Sequence, residues 1–394
     1  MRRVMVVGAG MTRFGRSSET LSQLMCLSSM AALRDAHLGE YPVDGVVVAN
    51  MGAARINRQT AIASALVDRL NLFPATAETV ENGPASGSSA FKVGYQAVAA
   101  GMADVVLVTG VEKMRAVNNL EGTDFVASMS HPEAEYIYGV TLPSLAGMFA
   151  RMVMERYGVT RRHLALVAIK NHANALRNPY AHIQQAITLE GILEAPEAIV
   201  NNPPIAEPLH LFDCCPVSDG AASLVLAAED VAEKLGKAGI VVAGIGQATD
   251  THAVHERPEP TRLTAVEVAA ERAFTMAGTS RDEVDVVELH DAFTILEIVQ
   301  SEAAGFFPQG EGHLALERGE TAFDGSLPIN PSGGLKARGH PVGATGMAQL
   351  VELTWQLRGD AGERQVQGAR CGFACNFGGF GNNVVTTLLR REDR

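Results

Sequence analysis

Short β-branched runs alternate with longer alanine-rich stretches of helical period along this 394-residue chain. Val4–Val7, Gly45–Val48, Val105–Val108, Val241–Ala243, Val284–Leu289 and Val384–Leu389 read as buried strands. Leu21–Ala36, Ser86–Ala100, Thr264–Ala277 and Val342–Leu357 read as helices. A continuous apolar run buries both faces of its strand, so helices must cover both sides of the sheet. That confines the chain to the α/β class. The pattern also repeats. VDGVVVANM at Val43–Met51 returns 241 residues later as VDVVELHDA, and RRVMVVGAGMT at Arg2–Thr12 returns about 237 residues later as GIVVAGIGQAT. Two segments at nearly one offset point to a duplicated unit.

Between the repeats, roughly 118–206, the chain is richer in His, Tyr, Met, Asn and Pro, as in HPEAEYIYG and NHANALRNPYAH. This stretch reads as a mostly helical insertion, either carrying ligand contacts or capping the fold. An apolar fraction of 47% against 19% charged residues excludes general disorder, and 39 glycines are far too few for a collagen-like chain. A net charge of −12 argues against broad binding to nucleic acid or anionic membranes, while leaving room for a local basic pocket. Five cysteines are too few for a disulfide framework and read as reduced thiols. No cleavable leader or apolar membrane span is legible, so a cytoplasmic location is expected.

Three segments carry candidate chemistry. In NPSGGLKARGHPVGATGMAQL, Asn330–Leu350, glycines on both sides of His340 allow tight turns, and Pro341 suits the first position of a helix. His340 then sits at a helix N-terminus, where it can donate to a developing oxyanion. In VVELHDAFTILE, Val286–Glu297, His290 and Asp291 fall where a strand ends, a common place for ligand-facing groups. Asp291 can equally be a helix N-cap. In CGFACNFGGFGNNVVTTLL, Cys371–Leu389, Cys375 precedes a glycine loop and is a candidate proton-transfer thiol or a buried small hydrophobe. Cys371 has only the second role, and no second ligand cluster argues for a metal site.

Together these segments resemble the thiolase superfamily. VENGPASGSSAFKVGYQAVAAGMADVVLVTGVEKM, Val80–Met114, is similar to the segment that carries the family's nucleophile. PLHLFDCCPVSDGAASLVL, Pro208–Leu226, is similar to the return from the loop domain, and the HDAF form is closest in type to the archaeal and sterol-carrier-protein branch. The resemblance implies a five-layer αβαβα fold built from two duplicated halves plus a helical loop domain. The implied division is an N-terminal half at 1–117, a loop domain at 118–206, a return segment at 207–236 and a C-terminal half at 237–394. It also implies coenzyme A thioester substrates, no permanently bound cofactor and a homodimer. A small zinc-ribbon/OB-fold protein or a second thiolase-like subunit is a further implied partner.

The resemblance breaks at one position. Where the family has its nucleophilic cysteine, this chain has Pro84, which offers neither a nucleophile nor an amide proton. Ser86 reads as part of the turn, Cys214 and Cys215 as packing residues, and Cys26 as core. By resemblance, His340 assists at an oxyanion hole, His290 orients a water or carbonyl oxygen there, and Cys375 moves a proton at the α-carbon. In the sterol-carrier-protein branch that second cysteine comes from the position of Ala292. Asn330, Gly339, Asn376 and Gly379 are expected to support the oxyanion hole and its turns. CoA is expected near Gln247–Pro258, with His252, His255 and Arg257 as contacts or as members of a solvated loop. Met148, Phe149 and Met152 are either an acyl tunnel or ordinary core. Loss of the acyl-cysteine with retention of enolate-stabilising groups suggests retro-aldol or aldol chemistry on a CoA thioester. Thiolase-like aldolases usually lose the histidine retained here as His340. A retro-Claisen acyltransferase using direct CoA attack or an unusual thiol, and a non-catalytic partner subunit, are the alternatives.

Overall fold

The computed structural model describes residues 1–237 and 239–392; residues 238, 393 and 394 of the expected C-terminal half lie outside the described residues. The strands are β1 Val4–Met11, β2 Gly45–Ala49, β3 Thr76–Val80, β4 Val105–Lys113, β5 Pro204–Ala206 and β6 Leu209–His210. They continue with β7 Asp219–Ala228, β8 Ile240–Thr249, β9 Val286–Glu288, β10 Cys371–Gly378 and β11 Asn383–Arg391. β5 and β6 form a small separate sheet. The other nine run in the order β3-β2-β4-β7-β1-β8-β11-β10-β9.

The duplication is visible in this order. In the first half β2 pairs parallel with β4, and β4, β7 and β1 follow as antiparallel neighbours. In the second half β9 pairs parallel with β10, and β10, β11 and β8 follow as antiparallel neighbours. Even the edge position of β3 has a counterpart, because Val287 of β9 bridges Ile329 in parallel. The halves join where Met5 of β1 pairs with Val241 of β8.

Helices fill the layers as the apolar strands require. Leu21–Ala36 packs on β1 and β7, and Thr264–Ala277 packs on β8 and β11. Ser86–Ala99 and Val342–Arg358 pack on each other between the halves, the latter touching strands of both. Across the molecule the layers run helix, sheet, helix, sheet, helix, the thiolase-like α/β fold. The 342–358 helix is almost wholly buried, its polar residues Gln349, Glu352 and Gln356 included, as expected for a helix in the central layer. Helices Asn119–Ala127, Leu142–Tyr157 and Arg161–Ala175 lie between the two repeats in sequence. They cover the second half and the cavity described below.

Glycines set the spacing of the central layer. A Cβ on Gly346 would lie 2.2 Å from Asn376 Oδ1 and 2.5 Å from the Ser88 nitrogen; one on Gly87 would lie 2.7 Å from the Met347 nitrogen. The two inner helices therefore meet backbone to backbone.

Candidate active site

A cavity of about 660 Å³ opens where these inner helices begin, and His290, His340 and Pro84 all line it. Pro84 lies in the turn before the 86–99 helix. Its carbonyl accepts from Asn376 Nδ2 at 3.0 Å. Ser86 is fully buried; its hydroxyl donates to the Gly83 carbonyl at 2.6 Å and accepts from the Asn82 amide at 2.7 Å. Ser86 is thus consumed in shaping the turn.

His290 follows β9. Gln300 grips its backbone, accepting from the nitrogen at 3.1 Å and donating to the carbonyl at 2.8 Å. Its ring Nδ1 lies 3.2 Å from Asn376 Nδ2. An amide nitrogen only donates, so this network assigns Nδ1 as the acceptor and puts the ring proton on Nε2. Asn376 Oδ1 accepts from the Ser88 amide at 3.2 Å, which fixes the orientation of the Asn376 amide.

His340 shows the complementary arrangement. Its Nδ1 lies 2.7 Å from Thr345 Oγ1, and that hydroxyl donates to the Pro341 carbonyl at 3.1 Å. Thr345 has only one hydroxyl proton, so Nδ1–H donates to it and Nε2 keeps a lone pair. The rings of His290 and His340 meet edge to face with centroids 5.0 Å apart. One cavity wall therefore presents a hydrogen-bond donor beside a base. Both rings are held neutral. Burial and then the Arg338 charge push His340 down to about 3; burial, His340 and Arg338 hold His290 well below the usual imidazole range.

Buried ion pairs fix the segment leading to His340. Glu288, at the end of β9, bridges Arg338 at 3.0 Å with both side chains wholly buried, and it accepts from Ser332 Oγ at 2.8 Å. Asp291 does not cap the next helix, which starts at Thr294 after Phe293. Its carboxylate instead accepts from the Leu335 amide at 2.6 Å, the Lys336 amide at 3.3 Å and Asn171 Nδ2 at 2.7 Å. Gly334 leaves room for it, since a Cβ there would sit 2.3 Å from the carboxylate. Asn330, with φ of 56°, accepts from the Leu289 amide at 2.8 Å and donates to Glu297 at 2.7 Å. Gly339, with φ of 112°, passes Ser218 where a Cβ would be 2.6 Å from its hydroxyl. Asn330 and Gly339 thus shape turns from beneath the site, while Gly379 lines the cavity itself. Pro341 is the cap residue before the helix rather than its first helical position.

Cys375 is fully buried and lies outside the cavity lining. Side chains alternate across a strand, and β10 turns Asn376 toward Pro84, Ser88 and His290. Cys375 falls on the other strand face with Phe373 and Phe377, and unlike Phe377, which stacks on His290, it is not among the cavity-lining residues. Burial alone pushes its thiol far up, with no base or cation to offset it.

The CoA contacts expected at His252, His255 and Arg257 do not line the cavity either. His252 Nε2 is bound to the Met129 carbonyl at 3.0 Å, and His255 is exposed on the surface. Arg257 is buried behind the cavity-lining Phe380, donating to its carbonyl. Phe149 is core, edge-on to Phe380, and Met148 is exposed. Conversely, Cys214 and Cys215, read as packing residues, do line the cavity. Their thiols are pushed up to about 12, chiefly by burial. They come within range because the chain at Cys214 bridges Phe293, and the Cys215 amide donates to the Ala292 carbonyl at 3.0 Å.

Comparison with known proteins fits this architecture. Residues 4–230 match the family model described as thiolase, N-terminal domain, and residues 246–391 match that described as thiolase C-terminal domain-like. The chain belongs to the thiolase family. It is 41% identical over 392 residues to an acetyl-CoA acetyltransferase of Methanothermobacter thermautotrophicus, covering 99% of this chain and 100% of that protein. It is 34% identical over 407 residues to sterol carrier protein 2 of Rattus norvegicus, covering 98% of this chain and 72% of that protein. Among solved structures, one titled Ltp2-ChsH2(DUF35) aldolase superposes with a TM-score of 0.84 at 25% identity, covering 100% of this chain and 98% of that one.

Proposed function

We propose that the protein cleaves or forms a carbon–carbon bond in a coenzyme A thioester by a retro-aldol or aldol route. The observation that carries this reading is the cavity wall itself: a donor and a base side by side, next to a proline where the family's acyl-accepting cysteine is expected. No cavity thiol replaces it as a ready nucleophile, because Cys214 and Cys215 stay protonated near neutral pH. An aldol reaction does not need an acyl-enzyme, since its electrophile is an aldehyde or ketone.

In the cleavage direction His340 Nε2 takes the proton from the β-hydroxyl. The Cα–Cβ bond breaks, its electron pair flows into the thioester as an enolate, and a carbonyl product leaves. His290 Nε2–H donates to the enolate oxygen, where negative charge develops in a water-poor site. The proton held by His340 returns to the α-carbon, so the step needs no oxidant, reductant or water. Cys375, fully buried and outside the cavity lining, is given no part in this route.

Similarity to an aldolase in complex form and to an acetyltransferase supports CoA thioester chemistry on this fold. A dimer of this chain, an added zinc-ribbon/OB-fold subunit and the domain limits at 117, 206 and 236 belong to the same reading. So does a cytoplasmic location, to which five free thiols are suited. The test incubates the full chain, alone and with its co-purifying proteins, with a panel of β-hydroxyacyl-CoAs. Aldehyde or ketone release that is lost in His340→Ala supports the reading. Release of acyl-CoA from β-ketoacyl-CoA plus free CoA, with an acyl group trapped on a cysteine by intact mass, replaces it with the acyltransferase.

A further inference from the structure

The cavity is lined by apolar, amide, hydroxyl, thiol and imidazole groups, with two exceptions. Arg16 and Arg115 are the charged side chains on its wall, both exposed, so they stand at its mouth; among the described residues no aspartate or glutamate lines it. The two arginines arrive on separate loops that Asp219 ties together. That wholly buried carboxylate accepts from the Ser17 amide at 3.1 Å, the Arg115 amide at 2.8 Å and Lys113 Nζ at 3.2 Å. Lys113 Nζ also donates to the Ser17 carbonyl at 2.8 Å. Asp219 is committed to Lys113 and two backbone amides, which leaves neither guanidinium with an acidic partner. Among the described residues Arg16 makes no ion pair or hydrogen bond, and the Arg115 side chain donates only to the Val217 carbonyl at 3.3 Å. Asn118 and Asn119 flank them on the wall as neutral donors.

Two cations fixed at the rim of an otherwise uncharged cavity, in a chain of net charge −12, concentrate positive potential at one spot. Met129 and Phe380 of the same wall are bonded through their carbonyls to His252 and Arg257 of the 247–258 segment where CoA is expected. We propose that the acyl chain of the substrate carries a terminal anionic group, a carboxylate, which Arg16 and Arg115 bind at the cavity mouth while the thioester reaches His290 and His340. This rests on the CoA-thioester reading above. A guanidinium fork matches a carboxylate's two oxygens, and the asparagine amides can complete its shell.

The test measures binding to the full-length protein by calorimetry, which needs no turnover. Three ligands are compared: an ω-carboxyacyl-CoA, the methyl-terminated acyl-CoA of equal chain length, and free CoA. The wild-type chain should bind the carboxylated ligand about tenfold more tightly than its methyl counterpart, and the preference should shrink with added salt. Arg16→Gln and Arg115→Gln should each erase most of that preference while leaving the Kd of the methyl ligand and of free CoA unchanged. Unchanged melting temperatures establish that the variants are folded. Equal binding of the two acyl ligands by wild type overturns the proposal. So does a parallel loss for all three ligands in the variants, which assigns the arginines to the phosphates of CoA. Turnover of methyl-terminated β-hydroxyacyl-CoA tests the reaction separately, so either idea can fail while the other stands.

Discussion

At the scale of single residues, the site depends on which way each ring nitrogen and each strand side chain points. His340 offers a lone pair because Thr345 occupies its other nitrogen, and His290 offers a proton because Asn376 occupies its other nitrogen. His340→Ala should lower kcat/KM by about a hundredfold or more, with the substrate Kd little changed, by stopped assays on the full chain. The pH dependence follows from the same geometry. His340 accepts a proton only when neutral, and its pKa lies near 3, so the base is lost only as pH falls through that value. The rate profile should show no histidine inflection between about pH 5 and 8. Cys375→Ala should leave kcat and KM unchanged and cost about 1–2 kcal/mol in urea unfolding, the price of a small buried cavity.

At the scale of elements, the turn at 330–339 is held in place by carboxylates that belong to other elements. Asp291 and Glu288 come from the end of β9, and they clamp backbone amides and Arg338 just ahead of His340. Gly334→Ala would force a Cβ onto Asp291 and put alanine at φ of 58°. It should destabilise the chain by about 1–3 kcal/mol and reduce activity together with Tm, read by thermal melts and assays in parallel. The sequence placed this turn correctly from its glycines and its GHP run. It gave no hint that Asp291 would reach forward to Leu335 and Lys336, since an aspartate after a strand reads equally well as a helix cap.

At the scale of the whole molecule, the halves are linked through Glu112. It lies on β4 of the first half and accepts from the amides of Met51, Gly52 and, across the halves, Gly343 at 3.1 Å. Burial raises its pKa to about 7 despite those donors. A raised folded pKa favours the native state fully below the unfolded value near 4.5, and that contribution is lost as pH rises through about 7. Glu112→Gln removes the titration. The Tm of wild type minus that of the variant should therefore be more positive at pH 5 than at pH 8, by calorimetry.

The sequence by itself determined the class of fold and its duplication, because burial on both faces of a strand leaves a continuous apolar run that any reader can see. It also located His290 and His340, which local strand-end and glycine patterns mark without reference to distant residues, whereas Pro84 stood out only through the resemblance to the thiolase family's nucleophile segment. Strand lengths were less legible. β1 and β8 run on through glycines that read as breaks, and they do so because helix backbones pass close to Gly8 and Gly246. β7, whose alanines resemble a helix, is a wholly buried central strand. Only the tertiary structure decided that Asn376 rather than Cys375 reaches the His290 ring, since one residue of register reverses every side chain on a strand. It alone brought Arg16, Arg115, Cys214 and Cys215 to the same wall as the two histidines. Contacts between residues a hundred or more positions apart are set by how the layers stack, and no local pattern encodes them.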